Sequence, residues 1–139
     1  MAALTGKERI LIVDDDPNIL ELLRRHLRAR GYEVATTPDV GEATRVLAKI
    51  SADLVIIALK MPKRNGPDLT NYVRKSFIHT EVIIVTGYAT IREAVKTAKA
   101  GAAEYLIKPF TEEELFAVVQ KALSKLSRRQ AAEAQACPI

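Results

Sequence analysis

Asp14, Asp15 and Asp16 stand in a row, while Thr86 and the pair Lys108-Pro109 lie far downstream. Adjacent carboxylates suit a hard divalent cation such as magnesium. That ion takes oxygen ligands, keeps several waters, and needs one or two protein carboxylates when a phosphate supplies the rest. A lysine ammonium neutralises phosphate oxygens as a point charge, and a threonine hydroxyl can hydrogen-bond one. Together these parts suit phosphoryl transfer to a carboxylate, a chemistry in which the protein mainly positions groups and neutralises charge. Yet the position where that carboxylate is wanted, in the run Asp53-Leu54-Val55-Ile56-Ile57-Ala58-Leu59-Lys60-Met61-Pro62, holds Ala58.

Each piece alone has a plainer meaning. The aspartates could be a capping and turn cluster, Thr86-Gly87 a strand-to-loop turn, Lys108-Pro109 a turn signal, and Tyr105 a half-buried strand residue. Only their joint placement is specific, so the elements that would position them decide the matter.

Strand and helix signals alternate five times along the chain. Arg9 to Val13 is a continuous apolar run, the mark of a strand buried on both faces. A helix from Pro17 to Arg30 follows, with Ile19, Leu20, Leu23 and Leu27 on one stripe. Asp16 is its expected N-cap, Pro17 its first residue and Gly31 its stop. A short strand, Tyr32 to Thr36, precedes a helix from Val40 to Ile50. The third strand runs from Asp53 to Leu59. After Pro62 and Gly66 comes a helix from about Pro67 to Lys75, then a strand from Glu81 to Val85. Thr90 to Ala100 is the fourth predicted helix, ended by Gly101. Glu104 to Ile107 is the fifth strand and Glu112 to Leu126 the last helix.

This alternation predicts an α/β fold with right-handed crossovers, a parallel sheet and helices on both faces. Ligands of such sheets bind at the carboxyl ends of the strands, near the point where strand order reverses. Asp14 and Asp15 follow the first strand, Ala58 ends the third, Thr86 follows the fourth and Lys108 the fifth. All are therefore expected at one sheet edge. Asp53 starts its strand at the opposite edge, so it is no substitute acceptor.

The chain has 139 residues, enough for one domain with a real core, and 48% of them are hydrophobic. No apolar run is long enough for a membrane helix. Residues 1–7 form an N-terminal tail without an apolar signal core, which argues against secretion. The single cysteine, Cys137, has no partner for an internal disulfide, which fits a reducing cytoplasm. The formal charge of +4 comes from 21 basic and 17 acidic residues. Much of it is local: Lys121, Lys125, Arg128 and Arg129 are opposed only by Glu133 after position 120. No aromatic or base-reading pattern accompanies these charges, so direct nucleic-acid binding is not expected and a solvated helix end is. Residues 127–139 are read as an extension of the last helix or a linker.

With these residues in place, the chain resembles the receiver domain of two-component response regulators over about residues 8–126. The matching text is Ile10 to Ile19 with its aspartates, Asp53 to Ile57 with Met61-Pro62 and Gly66, Val85 to Tyr88, and Tyr105 to Phe110. The resemblance implies a flavodoxin-like five-stranded parallel sheet of order 2-1-3-4-5 flanked by five helices. It implies a signalling module rather than an enzyme, with a histidine kinase as phosphoryl donor and an aspartate at the end of the third strand as acceptor. It also implies that Asp15 binds magnesium directly, that Asp14 assists through water, and that the Lys60 backbone carbonyl is a further ligand. Lys108 would pair with the phosphoryl group, Thr86 would bind it and form a switch pair with Tyr105, and the bond before Pro109 would be cis.

Counting four residues back from Pro62 gives Ala58, where the family carries its aspartate. A methyl group neither accepts a phosphoryl group nor binds a metal, so phosphorylation by the usual route and tight magnesium binding are not expected. Whether the alanine is natural or engineered stays open. The alternative is a phosphorylation-independent interaction module, bound by a partner or output domain, or a second copy, through the face of the fourth predicted helix, the fifth strand and the last helix. That face carries Ile91, Val95, Ala98 and Phe116, which at helical spacing also read as core. A phosphate-ester hydrolase using Asp14 and Asp15 would want a nucleophile at the third-strand edge. His26 and His79 lack the helical-bundle setting of a phosphohistidine.

Overall fold

The computed structural model describes residues 8–57, 66–77, 79–86, 99 and 101–136. Its elements are β1 (Arg9–Val13), α1 (Pro17–Ala29), β2 (Glu33–Thr37), α2 (Val40–Lys49), β3 (Leu54–Ile57), α3 (Gly66–Ser76), β4 (Glu81–Thr86), β5 (Glu104–Ile107) and α4 (Glu112–Ala136). The five strands form one sheet of order β2-β1-β3-β4-β5, all neighbours parallel. Strand order reverses between β1 and β3, as the alternation of elements predicts. Four helices are seen among the described residues where five were expected. The expected helix from Thr90 to Ala100 lies outside them apart from Lys99.

Successive strand side chains point to opposite faces, and this splits the core in two. Ile10, Ile12, Leu54, Ile56, Ile83 and Val85 pack with Leu23 and Leu27 of α1 and Leu115, Val119 and Leu123 of α4. Leu11, Val13, Val55, Ile57, Val82 and Ile84 pack with Leu47 of α2 and Leu69 and Val73 of α3. Both layers need apolar side chains from Ile10 to Val13 of β1 and at every position of β3, which explains the unbroken runs in the sequence.

Local chemistry sets the ends of α1. The Asp16 carboxylate accepts the Asn18 N–H at 2.9 Å, and Pro17 opens the helix. Gly31 then adopts φ 94°, a left-handed conformation that side chains resist. Tyr32, expected in the strand, belongs to this cap: its N–H donates to the Leu27 carbonyl at 3.3 Å. β2 is accordingly displaced by one residue, and Thr37 pairs with Val13.

α4 starts with a capping box. The Thr111 N–H donates to Glu114 Oε1 at 2.8 Å, and the Glu114 N–H donates to Thr111 Oγ1 at 3.1 Å. The helix does not stop at Leu126, its last buried residue, but continues to Ala136. Alanine, glutamine and arginine are strong helix formers, so this segment holds helical backbone after core contacts end. Two contacts tie α1 to α4: His26 Nδ1 lies 3.2 Å from Glu112 Oε2, and the Arg30 guanidinium lies 3.7 Å from the Phe116 ring centre. Phe116 is 6% exposed, so it serves the core rather than an outer face. Ile91, Val95 and Ala98 lie outside the described residues.

Candidate functional site

β1 delivers the acidic cluster to the sheet edge. Asp14 follows Val13 directly, and its N–H continues the ladder to β2 by donating to the Thr37 carbonyl at 3.2 Å. Its side chain has no accessible surface. Oδ1 accepts the Asp16 N–H at 2.9 Å, while Oδ2 is buried with no hydrogen-bond partner. Burial pushes the Asp14 carboxyl up to about 6 from 3.8, and the neighbouring Asp15 carboxyl adds to the rise. The Asp16 N–H and the Lys108 charge oppose it without cancelling it. Asp15 is exposed beside it.

β5 delivers Lys108. The Lys108 N–H donates to the Thr86 carbonyl at 2.7 Å, which ties the ends of β4 and β5 together. The Lys108 Nζ lies 3.9 Å from Asp14 Oδ2, attractive but longer than a charge-assisted hydrogen bond. The Lys108-Pro109 peptide bond is cis. Phe110, partly buried against the core that holds Leu115, continues the chain into α4.

Thr86 is the last residue of β4 and half-buried. It pairs with Ile107, and Ile84 pairs with Tyr105, so Thr86 and Tyr105 share one face of the sheet. Tyr105 is partly buried and packs on the core of that face. β3 ends with Ile57 between Val13 and Ile84, so the chain leaves this strand beside the acidic cluster. Ala58 and Lys60 themselves lie outside the described residues. Asp53 sits at the other edge, where its Oδ2 accepts the Arg9 N–H at 2.9 Å.

The structure thus brings Asp14, Asp15, Thr86 and Lys108 to one edge and leaves Asp53 away from it. A pattern-based reading gave no part to Thr37, which holds the Asp14 backbone and is itself held by a 2.7 Å hydrogen bond from its hydroxyl to Glu42 Oε1. Nothing in the sequence marks that role, because it depends on the neighbour of β1 in the sheet.

Among the described residues no group of three or more His, Cys, Asp or Glu could hold a metal ion. Two adjacent carboxylates remain, one with a buried oxygen that has no donor. This donor set fits a hard divalent cation that keeps most of its waters, and Asp14 and Asp15 are the residues that would hold it.

Sheet order and an acid-and-lysine edge at the strand-order reversal define a doubly wound α/β module of the flavodoxin-like kind. The chain belongs to the response regulator receiver domain family, whose model matches residues 10–120. It is 34% identical over 127 residues to the regulatory protein AtoC of Escherichia coli, covering 91% of this chain and 28% of that protein. The curated relatives it matches are longer, and the chain spans between 24% and 56% of their length. The signal receiver domain of an HD domain-containing protein from Pseudomonas fluorescens superposes with a TM-score of 0.84 at 29% identity, covering 94% of this chain and 97% of that one. The response regulator TrrA of Thermotoga maritima, solved in complex with Mg2+-BeF, gives a TM-score of 0.73 at 36% identity, covering 83% and 98%.

Proposed function

We propose that this receiver works in two-component phosphorelay signalling with Ala58 at the acceptor position, so that as written it is not phosphorylated by the usual route. The observation that carries this reading is Asp14: a buried carboxylate with an unpartnered oxygen, facing Lys108 at the edge where β3 ends. Such a group is costly unless a cation or phosphoryl chemistry uses it. Asp15, Asp14 and the Lys60 carbonyl form the proposed magnesium site, weakened by the loss of a carboxylate at position 58. The Mg2+-BeF complex of the Thermotoga relative supports magnesium as the ion. When bound, it supplies positive charge against phosphoryl oxygens.

Lys108 and Thr86 face the phosphoryl position in this reading, and Thr86 with Tyr105 forms the switch. A histidine kinase is the proposed partner upstream. An output domain or partner protein, or a second copy of this chain, is the proposed partner downstream, all in the cytoplasm. Among the described residues no helix is long and apolar enough to cross a membrane. Ala58 itself favours a second reading, an interaction module that signals without phosphorylation.

Treating the parent chain and Ala58→Asp with a small phosphodonor and magnesium, then weighing both intact, tests the assignment. The expected result is one added phosphoryl group on Ala58→Asp and none on the parent. Phosphorylation of the parent would refute the acceptor assignment, and an inert Ala58→Asp would favour the interaction module.

A further inference from the structure

We infer that the cleft at the opposite, amino edge of the sheet binds a free α-amino acid with an apolar side chain, held as a zwitterion between Lys49 and Asp53, with the far part of α4 as one wall. The site lies away from the aspartate cluster and does not depend on position 58.

Two helix-to-strand loops build it. β3 and β4 are neighbours, with Leu54 opposite Glu81, so the loop from α2 into β3 lies beside the loop from α3 into β4. The Thr80 hydroxyl donates to the Ala52 carbonyl at 2.6 Å and ties the loops together where both residues are buried. The Ile50 N–H closes α2 on the Val46 carbonyl, and the Phe77 N–H closes α3 on that of Val73. Between the loops remains a cleft of about 580 Å³, within the size range of small-molecule sites.

α4 supplies the remaining wall. Its buried stripe runs through Leu115, Val119, Leu123 and Leu126 at helical spacing. Gln130 is the next residue of that stripe, and it lines the cleft. An apolar residue there would only close a packing gap, whereas an amide offers a ligand both a donor and an acceptor.

The lining joins an apolar wall to charges of both signs. Leu47, Ile50 and Phe77 belong to the core on this face and also present carbon to the cleft. Lys49 is exposed on the rim, and among the described residues no ion pair takes its ammonium. Asp53 is half-buried, and its Oδ2 accepts the Arg9 N–H at 2.9 Å. A carboxylate has room for further donors beyond that one. The carboxyl ends of α2 and α3 add partial negative charge to the Asp53 side, about half a unit each. A plain anion is repelled by that side, and a plain cation by Lys49. A zwitterion answers both signs, and an apolar side chain on it takes the wall of Phe77 and Ile50 out of water.

Titration of L-phenylalanine into the full, isotope-labelled chain, followed by amide resonances and calorimetry, tests this. Binding should saturate with a Kd on the order of 1 mM or tighter, and the resonances of Ser51, Phe77, Thr80 and Gln130 should move together. Hydrocinnamate lacks the ammonium and phenethylamine lacks the carboxylate, so each should bind about tenfold more weakly. Lys49→Met should weaken phenylalanine by about tenfold and leave phenethylamine unchanged. Asp53→Asn keeps an acceptor for the Arg9 N–H, and it should weaken phenylalanine by about as much while leaving hydrocinnamate unchanged. Ser76→Trp, at an exposed position of the lining, should fill the cleft and abolish binding. Absence of saturable binding, equal affinity for either truncated compound, or shifts confined to other surfaces would overturn the inference. So would an equal loss for all three compounds in Lys49→Met, because that pattern reports a distorted cleft rather than a lost charge. None of these results bears on the acceptor assignment, which the phosphodonor experiment tests by itself.

Discussion

Asp14 is held in the folded chain with its proton bound up to about pH 6, whereas an unfolded aspartate releases it near 3.8. Its folded pKa is the higher of the two, so protonation favours folding. That contribution is complete below about pH 4 and disappears as pH rises to about 6; a shift of this size corresponds to about 3 kcal/mol. Asp14→Asn cannot ionise, so it should stabilise the chain by roughly 1–3 kcal/mol at pH 7 and change little at pH 4. Urea unfolding at both values reads the difference, and an equal effect at both would show that the carboxyl is not raised. Lys108 pulls the Asp14 carboxyl the other way. Lys108→Met should cost about 1 kcal/mol at pH 7 and less at pH 4, where Asp14 is neutral.

At the scale of elements, α4 combines two different helices. Up to Leu126 it fills the core beside α1, with Leu115, Val119, Ala122 and Leu123 fully or almost fully buried. Beyond Ser127 the described side chains, Arg128 and Gln130 to Ala132, are exposed. Removing residues 127–139 should therefore change stability by less than about 1 kcal/mol while lowering the helical circular dichroism signal. Thr111→Ala removes one half of the capping box and should cost about 1 kcal/mol, a larger effect from a smaller change. Thermal melts of the two variants check that order. The reason is that a cap satisfies backbone donors where the helix docks, whereas the described side chains of the far end are exposed.

Over the whole molecule, the parallel sheet gathers charge at a single edge, and the residue at position 58 changes the sum. Two unit charges about 4 Å apart repel by on the order of 4 kcal/mol at an effective dielectric near 20, before screening. Ala58→Asp adds a third carboxylate to Asp14 and Asp15. Without magnesium it should be less stable than the parent, by roughly 1–3 kcal/mol once solvent screening is allowed for. Saturating Mg2+ should raise its melting temperature more than that of the parent, because a ligand stabilises in proportion to its binding to the folded state. An Ala58→Asp chain as stable as the parent in chelator would contradict this account.

The sequence by itself determined the alternation of elements, the sheet type and the edge at which Asp14, Asp15, Thr86 and Lys108 meet. It could do so because strand and helix periods, apolar runs and cap residues such as Asp16 and Gly31 are local signals, and a parallel sheet then puts every strand's carboxyl end on one side. It also singled out Ala58 by its distance from Pro62, although that residue lies outside those described. Tertiary structure alone decided which aspartate is buried, that Oδ2 of Asp14 stays without a donor at 3.9 Å from Lys108, and that Thr37 holds its backbone. It also made Phe116 a core residue under Arg30 and carried α4 past Leu126. These facts depend on which elements are neighbours in space and on what desolvation does to a charge there, and neither is written in the spacing of residues along the chain.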